Sequence, residues 1–327
     1  MATLKSLEKK IKKKKKKILV TGAAGFIGSN LIYFLLQSNQ HVVGLDNLST
    51  GNYRNIKRIP QSLKKRFKFI RGDIKNYRTC FNVCKNIDIV LHNAAIGSVP
   101  RSIKDPLNSH NTNSTGFLNI LHASREAKVK KFIFASSSSV YGNSKKKFKV
   151  ENQLGKLLSP YAVTKKNNED YAEVFSKIYK MKIIGLRYFN VFGKNQNPLG
   201  PYSAVIPKWI NLMKNNKKIE IYGDGKTSRD FCFIDNVIQA NILSILENNK
   251  KNYQIFNVSS GKQTTLLNLY KKIKKYFYIQ NSSVKYKKFR PGDIKKSIGC
   301  TNNIKKNLKY NVEYDINLGL KKLSSQI

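Results

Sequence analysis

Tyr161 and Lys165 stand four residues apart just after Ser159-Pro160, and a run of four serines, Ser136 to Ser139, lies upstream. A helix opening at Ser159-Pro160 puts the tyrosine and the lysine on one face, because residues i and i+4 stack one above the other. Tyrosine is a poor base at its ordinary pKa of about 10. A neighbouring ammonium favours the phenolate, and a positive nicotinamide ring pulls the same way. The pair can then take a proton from a substrate hydroxyl while hydride leaves the same carbon, and Lys165 can also hold the nicotinamide ribose. On its own a Tyr-x-x-x-Lys pair also fits an ordinary helix surface. The serines follow the strand-like Phe132 to Ser136, at the carboxyl end where open α/β sheets bind ligands. A hydroxyl bridging the reacting oxygen and the tyrosine is expected there, with a serine-rich turn as the plainer alternative.

Hydride chemistry needs a dinucleotide, and the start of the chain provides for one. Gly22, Gly25 and Gly28 follow the apolar run Ile18-Leu19-Val20 and open the helix-like Phe26 to Leu36. The turn needs a residue at ease with positive φ, and a diphosphate can approach the N–H groups of a helix start only where no Cβ intrudes. Gly28 lets the helix sit close against the strand. Asp46 follows eighteen residues later, at the end of the run His41 to Leu45. A carboxylate there accepts hydrogen bonds from both adenosine ribose hydroxyls and repels a 2′-phosphate, which selects NAD over NADP.

The elements that must position these groups alternate. Strand-like Ile18 to Thr21, Val42 to Leu45, Phe67 to Arg71, Ile87 to His92, Phe132 to Ser136 and Ile183 to Leu186 interleave with helix-like segments to Ser38, Leu107 to Ala127 and Tyr161 to Tyr179. This rhythm predicts a doubly wound parallel α/β sheet of Rossmann type over residues 17–190. Beyond Asn190, Pro198, Pro201, Pro207 and Gly223-Asp224-Gly225 break the pattern. Residues 191–327 are therefore expected to form mainly a smaller α/β lobe for substrate, discontinuous, with some segments returning to the first domain.

The 327 residues include 62 lysines and arginines against 18 acids, a net charge of +44. The excess is mostly lysine and spread through the chain, so it reads as compositional bias, with no specific nucleic-acid partner expected. Residues 1–16 are expected to be a basic, solvated tail. Their lysines followed by Ile18 to Ile27 imitate a secretion signal without a small-residue cleavage site, and no apolar run reaches the ~18 residues of a membrane span. Cys80, Cys84, Cys232 and Cys300 lack CxxC spacing, and His41, His92, His110 and His122 are dispersed. Reduced thiols, a cytoplasmic setting and no metal are expected.

From Thr21–Gly28 through Asp46-Asn47, Gly72-Asp73-Ile74, His92 to Ala95, Ser136 to Gly142, Tyr161 with Lys165, and Leu186 to Gly193, the chain resembles the extended short-chain dehydrogenase/reductases, and among them the nucleotide-sugar 4-epimerases. Gly97 to Ser102, Ala204 to Trp209 and Thr227 to Cys232 are similar to segments of UDP-N-acetylglucosamine or UDP-N-acetylglucosaminuronic acid 4-epimerases of O-antigen and Vi-type capsule synthesis.

The resemblance implies Ser137, Tyr161 and Lys165 as the catalytic trio. It implies contacts to NAD from Gly22, Gly25, Phe26, Ile27, Gly28, Asp46, Asn47, Ser49, Thr50, Gly51, Asp73, Ile74, Ala94, Ala95, Asn113, Tyr161, Lys165 and Tyr188. It implies contacts to a UDP-sugar from Gly97, Ser98, Ser137, Ser138, Ser139, Tyr161, Asn190, Ala204, Val205, Lys208, Trp209, Tyr222, Arg229 and Arg290. Ser297 falls at a gate where a bulky tyrosine would limit the site to plain hexoses and a small residue leaves room for a 2-acetamido group. The implied reaction is epimerisation at C4 through a transient 4-keto sugar, and the implied assembly a homodimer through helices at Leu107 to Ala127 and Tyr161 to Tyr179. UDP-glucuronate and UDP-glucose 4-epimerases remain alternatives. Nucleotide-sugar dehydratases carry an acid near the serine, and Ser138-Ser139-Val140 offers none. A basic binding protein without catalysis has no need of the trio.

Overall fold

The protein is described by a computed structural model covering residues 3–200, 202–289 and 296–327. Seven apolar runs form one parallel sheet: β1 (Lys17–Thr21), β2 (His41–Asp46), β3 (Phe67–Arg71), β4 (Ile89–His92), β5 (Lys131–Ser137), β6 (Ile183–Tyr188) and β7 (Tyr253–Val258). Their order is β7-β6-β5-β4-β1-β2-β3, with every pair parallel. Strand side chains alternate between the faces. Ile18 and Val20 enter one core and Leu19 the other; Ile133 and Ala135 join the first, Phe132 and Phe134 the second.

Two apolar faces require helices on both. The helices that bear on the site are α1 (Leu4–Lys12), α2 (Phe26–Gln37), α3 (Tyr77–Cys84), α4 (Gly116–Glu126), α5 (Pro160–Tyr179), α6 (Val205–Lys214) and α7 (Ile234–Leu246). Leu7 of α1, Leu31 of α2 and Val237 of α7 feed the first core; Cys80 of α3, Phe117 of α4 and Ala172 of α5 feed the second. The chain runs outward from β1 to β2 and β3, then crosses to β4 on β1's other side. That reversal opens a crevice beyond the carboxyl ends of β1 and β4, where α/β sheets of this kind bind ligands.

The sheet keeps the predicted rhythm, and three features depart from it. The segment expected as a solvated tail is helical: Leu7 and Ile11 are each 1% exposed, the Leu4 N–H donates to Glu313, and Gln40 Nε2 donates to the Ile11 carbonyl. Lys5, Lys9, Lys10 and Lys12 to Lys15 stand out in solvent on its other side. The single helix expected from Leu107 to Ala127 is broken into Pro106–His110, a π turn over Asn111–Thr115, and α4. β7 and α3 were not part of the predicted pattern.

After β6 the chain builds α6, a parallel ladder of Ile219–Tyr222 with Val284–Lys287, and a helix over Leu266–Tyr276. Their apolar residues Ile206, Trp209, Ile219 and Leu269 merge with the first core, so sheet and lobe share one packed interior. Among the described residues no helix is long and apolar enough to cross a membrane.

Candidate active site

β1 leads into Gly22, whose φ of +69° lies where side chains are strained. A Cβ on Gly28 would sit 2.1 Å from the Gly22 carbonyl oxygen, so only glycine lets α2 lie this close. Gly25 precedes α2 and no side chain caps the helix, which leaves its first N–H groups for an anion. The Asp46 carboxylate is aimed by the Ala24 N–H at 2.9 Å and the Leu48 N–H at 2.7 Å, and a Cβ on Gly51 would lie 3.0 Å from both its oxygens. It keeps lone pairs for ribose hydroxyls. Asn47 donates to Asp73 at 2.9 Å and the Lys75 N–H donates to it at 2.8 Å. Burial pushes the Asp73 carboxyl up, and these donors outweigh it and hold the group below the usual range.

A cavity of 310 Å³ collects Gly22, Gly25, Phe26, Ile27, Gly28, Asp46, Asn47, Ser49, Thr50, Ile74, Ala94 and Ala95. An uncapped helix start, a glycine turn that a Cβ would fill and an aimed carboxylate fit a dinucleotide. The turn rests on a pair that sequence reasoning passed over. Thr21 Oγ1 accepts the Ala94 N–H at 3.2 Å and meets His92 Nδ1 at 2.9 Å. Burial lowers His92 to about 3, so its neutral ring can accept the threonine proton.

Ser159 caps α5 by accepting the Ala162 N–H, and the helix brings Tyr161 and Lys165 to the carboxyl end of β5 as expected. Lys165 is 2% exposed and donates to the Ala135 carbonyl at 2.8 Å; its Nζ lies 5.9 Å from the Tyr161 ring centre. Burial raises the Tyr161 phenol, and a hydrogen bond with Ser137 opposes that rise. Burial lowers Lys165 to about 8, against the attraction of Glu169. Ser137 opposes the rise at Tyr161, and Lys165 has one of its three donors on β5. Ser137 Oγ also accepts the Ser139 N–H at 3.1 Å, fixing the serine turn.

Behind the trio lies a buried network that went unread in the sequence. Glu169 takes two bonds from Arg187 and one from Ser136, while Arg187 also donates to Tyr141 and to the Glu151 carbonyl. Tyr141 in turn donates to Asn257 on β7 at 2.6 Å. Its one sequence signal is an acid at i+4 from Lys165 and i+8 from Tyr161, on the same helix face.

Two of the residues expected at the cofactor have their side-chain polar groups engaged within the protein. Asn113, 1% exposed, donates to the Ile96 carbonyl and Thr164 Oγ1 and accepts the Ile96 N–H. It braces the cavity wall against α5, because the π turn aims its amide inward. Tyr188 is buried, and its hydroxyl accepts from Asn241 on α7.

A second cavity, 710 Å³, takes in Gly97, Ser98, Asn190, Ala204, Val205, Lys208, Trp209, Tyr222 and Arg229. It shares Phe26, Thr50 and Gly97 with the first, so the two are continuous. Ser98 holds a strained φ of +92°. Tyr161 connects to this wall through its N–H, which Ser102 Oγ accepts at 3.0 Å. The described linings include none of Ser137, Ser138, Ser139, Tyr161, Lys165 or Ser297. Ser297 is 9% exposed and precedes the short strand Ile298–Gly299. Asp230 fixes that strand by accepting the N–H groups of Gly299, Ser260 and Gly261 and the Ser260 hydroxyl. Arg290 lies outside the described residues. Among the described residues no cluster of His, Cys, Asp and Glu could hold a metal.

The sequence model of the NAD dependent epimerase/dehydratase family matches residues 18–259. The chain belongs to the NAD-dependent epimerase/dehydratase family. Family members of known structure match closely. A UDP-N-acetylglucosamine 4-epimerase from Methanobrevibacter ruminantium, in complex with UDP-N-acetylmuramic acid, is 34% identical over 96% of this chain and 100% of that one, with a TM-score of 0.87. A UDP-glucuronic acid 4-epimerase from Bacillus cereus, in complex with UDP-glucuronic acid and NAD, is 34% identical over 94% and 98%, with a TM-score of 0.85. A UDP-glucuronate 4-epimerase from Thermodesulfobacterium geofontis is 32% identical over 93% of this chain and 94% of its own length.

Proposed function

We propose that this chain is a UDP-sugar 4-epimerase that keeps NAD bound and acts on a UDP-N-acetylhexosamine or its uronic acid. The observation that carries this reading is the grouping at the carboxyl end of β5: Tyr161 and buried Lys165 on one face of α5, Lys165 bonded to the Ala135 carbonyl, and Ser137 in the turn that follows. Gly22, Gly25, Gly28 and Asp46 would hold NAD, with Lys165 near its nicotinamide ribose. Bound there, NAD supplies a reversible acceptor for the C4 hydride.

The protein's own part is proton transfer and anchoring. Tyr161 takes the C4 hydroxyl proton as the carbon is oxidised, and Ser137 donates to the oxygen that carries the charge. Asn190, Lys208 and Arg229 hold the diphosphate side while the 4-keto hexose turns about its link and presents its other face. Tyr161 then returns the proton, so no net oxidation occurs. The small Ser297 leaves room for a 2-acetamido group.

A homodimer is part of the same reading: Val163, Val174 and Ile178 of α5 and Leu107 are exposed apolar side chains that a second α5 would cover. On this reading the product feeds O-antigen or capsule assembly, which the resemblance supports. The test is NAD content of the purified protein followed by turnover of UDP-glucose, UDP-glucuronate, UDP-N-acetylglucosamine and its uronic acid. Equal rates with UDP-glucose and UDP-N-acetylglucosamine would remove the gate at Ser297, and a protein without NAD or turnover would remove the whole reading.

A further inference from the structure

A buried carboxylate away from the catalytic trio ties two sides of the ligand cavity together. Asp230 is wholly out of solvent, in the turn between the two-residue strands Ser228–Arg229 and Cys232–Phe233. Its Oδ1 accepts the Ser260 N–H at 2.8 Å and the Ser260 hydroxyl at 2.6 Å, and its Oδ2 accepts the Gly261 N–H at 3.0 Å and the Gly299 N–H at 3.1 Å. Four neutral donors thus converge on one charge, three from the loop after β7 and one from the strand that Ser297 enters.

The backbone of the same residue reaches the other side. The Asp230 carbonyl accepts Asn190 Nδ2 at 3.1 Å, and the Asn190 carbonyl accepts the Cys232 N–H at 3.3 Å. Asn190 holds a strained φ of +26° and lines the larger cavity with Arg229, the residue before Asp230. Lys149 and Asn257 hold the strand of Ser297 at Cys300, and Asp230 joins it to the turn that carries Arg229.

We infer that Asp230 is a positioning residue for substrate: its charge holds the strand entered from Ser297 in register with Asn190 and Arg229, so that the sugar wall and the diphosphate side keep one spacing. The inference rests on the epimerase reading and adds to it a residue with no surface of its own in the cavity. An amide cannot replace this charge, because asparagine keeps one acceptor oxygen and turns N–H groups on the other pair of donors. A protonated carboxyl has the same defect. Burial raises Asp230 to about 6 against the pull of its donors, so the charge is present above that pH and lost as pH falls through it. Cys232 and Tyr310 also feel this carboxylate, but burial pushes both far up and neither titrates there. Arg229, Lys296 and Lys262, the last paired with Asp315, are the charged side chains next along the three segments and are cations throughout.

The test measures KM, kcat and NAD content of the wild type, Asp230→Asn and Ser260→Ala across pH, on whichever of the four UDP-sugars the wild type turns over best. The sugar's own diphosphate stays doubly charged throughout. The wild-type KM is expected to climb as pH falls through about 6. Asp230→Asn should raise KM about tenfold or more at neutral pH, keep kcat within about threefold and NAD content unchanged, and lose the climb. Ser260→Ala removes one donor and keeps three bonds, so its climb should begin at higher pH; this variant decides the matter if Asp230→Asn does not fold. A KM within about twofold of the wild type in Asp230→Asn, a climb unmoved in Ser260→Ala, or a joint fall of kcat and NAD content overturns the inference. Wild-type turnover with any of these leaves the epimerase reading standing; turnover of none of the sugars by the wild type removes both.

Discussion

Glu169 grips Arg187 through two parallel hydrogen bonds, Nε to Oε1 at 2.8 Å and Nη2 to Oε2 at 2.7 Å, with both side chains almost wholly out of solvent. The pair ties α5 to β6 and, through Ser136, to β5, the three elements on which the reacting groups ride. Every donor and acceptor added around it lowers the cost of holding two charges in the interior. Removing one partner strands the other. Glu169→Ala is expected to lower stability by about 3–5 kcal/mol, read by denaturant unfolding. A loss under about 1 kcal/mol would show the pair to be dispensable.

The acid side of the pH–rate profile should report Tyr161. Burial holds its phenol above the ordinary value and the Ser137 bond pulls it back, so the fraction of phenolate rises with pH. Ser137→Ala removes the downward pull. Its ascending limb is expected at higher pH than the wild type's, with a loss in kcat of about 10²-fold. An unmoved limb would separate Ser137 from the ionisation of Tyr161.

Tyr161→Phe should abolish epimerisation by about 10³-fold or more while the protein still carries NAD, since the cradle around Gly22 and Asp46 is untouched. Retained turnover in this variant would end the enzymatic reading.

Gly28→Ala tests the cradle itself. Its new methyl would meet the Gly22 carbonyl oxygen at 2.1 Å, a backbone atom that cannot step aside cheaply. NAD content after purification is expected to fall to near zero while α/β circular dichroism persists. Full retention would mean that α2 can shift without losing the dinucleotide.

Leu7 and Ile11 give α1 a structural weight that its lysines conceal. Each is buried in the first core, so Leu7→Ala or Ile11→Ala should cost about 2–5 kcal/mol. A change near zero would return the segment to the status of a tail.

What could be read in advance was local. The glycine turn, Asp46, and Tyr161 with Lys165 are short-range patterns whose geometry follows from one turn or one helix. What could not be read was long-range: Tyr141 finds Asn257 across 116 positions, Glu151 finds the Asn257 N–H across 106, and nothing in either neighbourhood announces the other. α1 was hidden differently. Leu4, Leu7 and Ile11 have helical spacing, but the surrounding charge outweighs three apolar side chains in any reading by composition. Asn113 was found, but its bonds to Ile96 and Thr164 were not, because they depend on a π turn that no residue preference marks.

That turn, closed by the Gly116 N–H reaching back five residues to Asn111, inserts one residue beyond an α-helical repeat. One extra residue changes helical phase by about 100°. The stretches before and after Asn113 are therefore out of step. Deleting a single residue between Asn111 and Thr115 would restore a continuous helix with better internal bonding. It would also swing the asparagine off Ile96. The chain keeps the less regular helix, and a more stable version of this segment should make a worse enzyme.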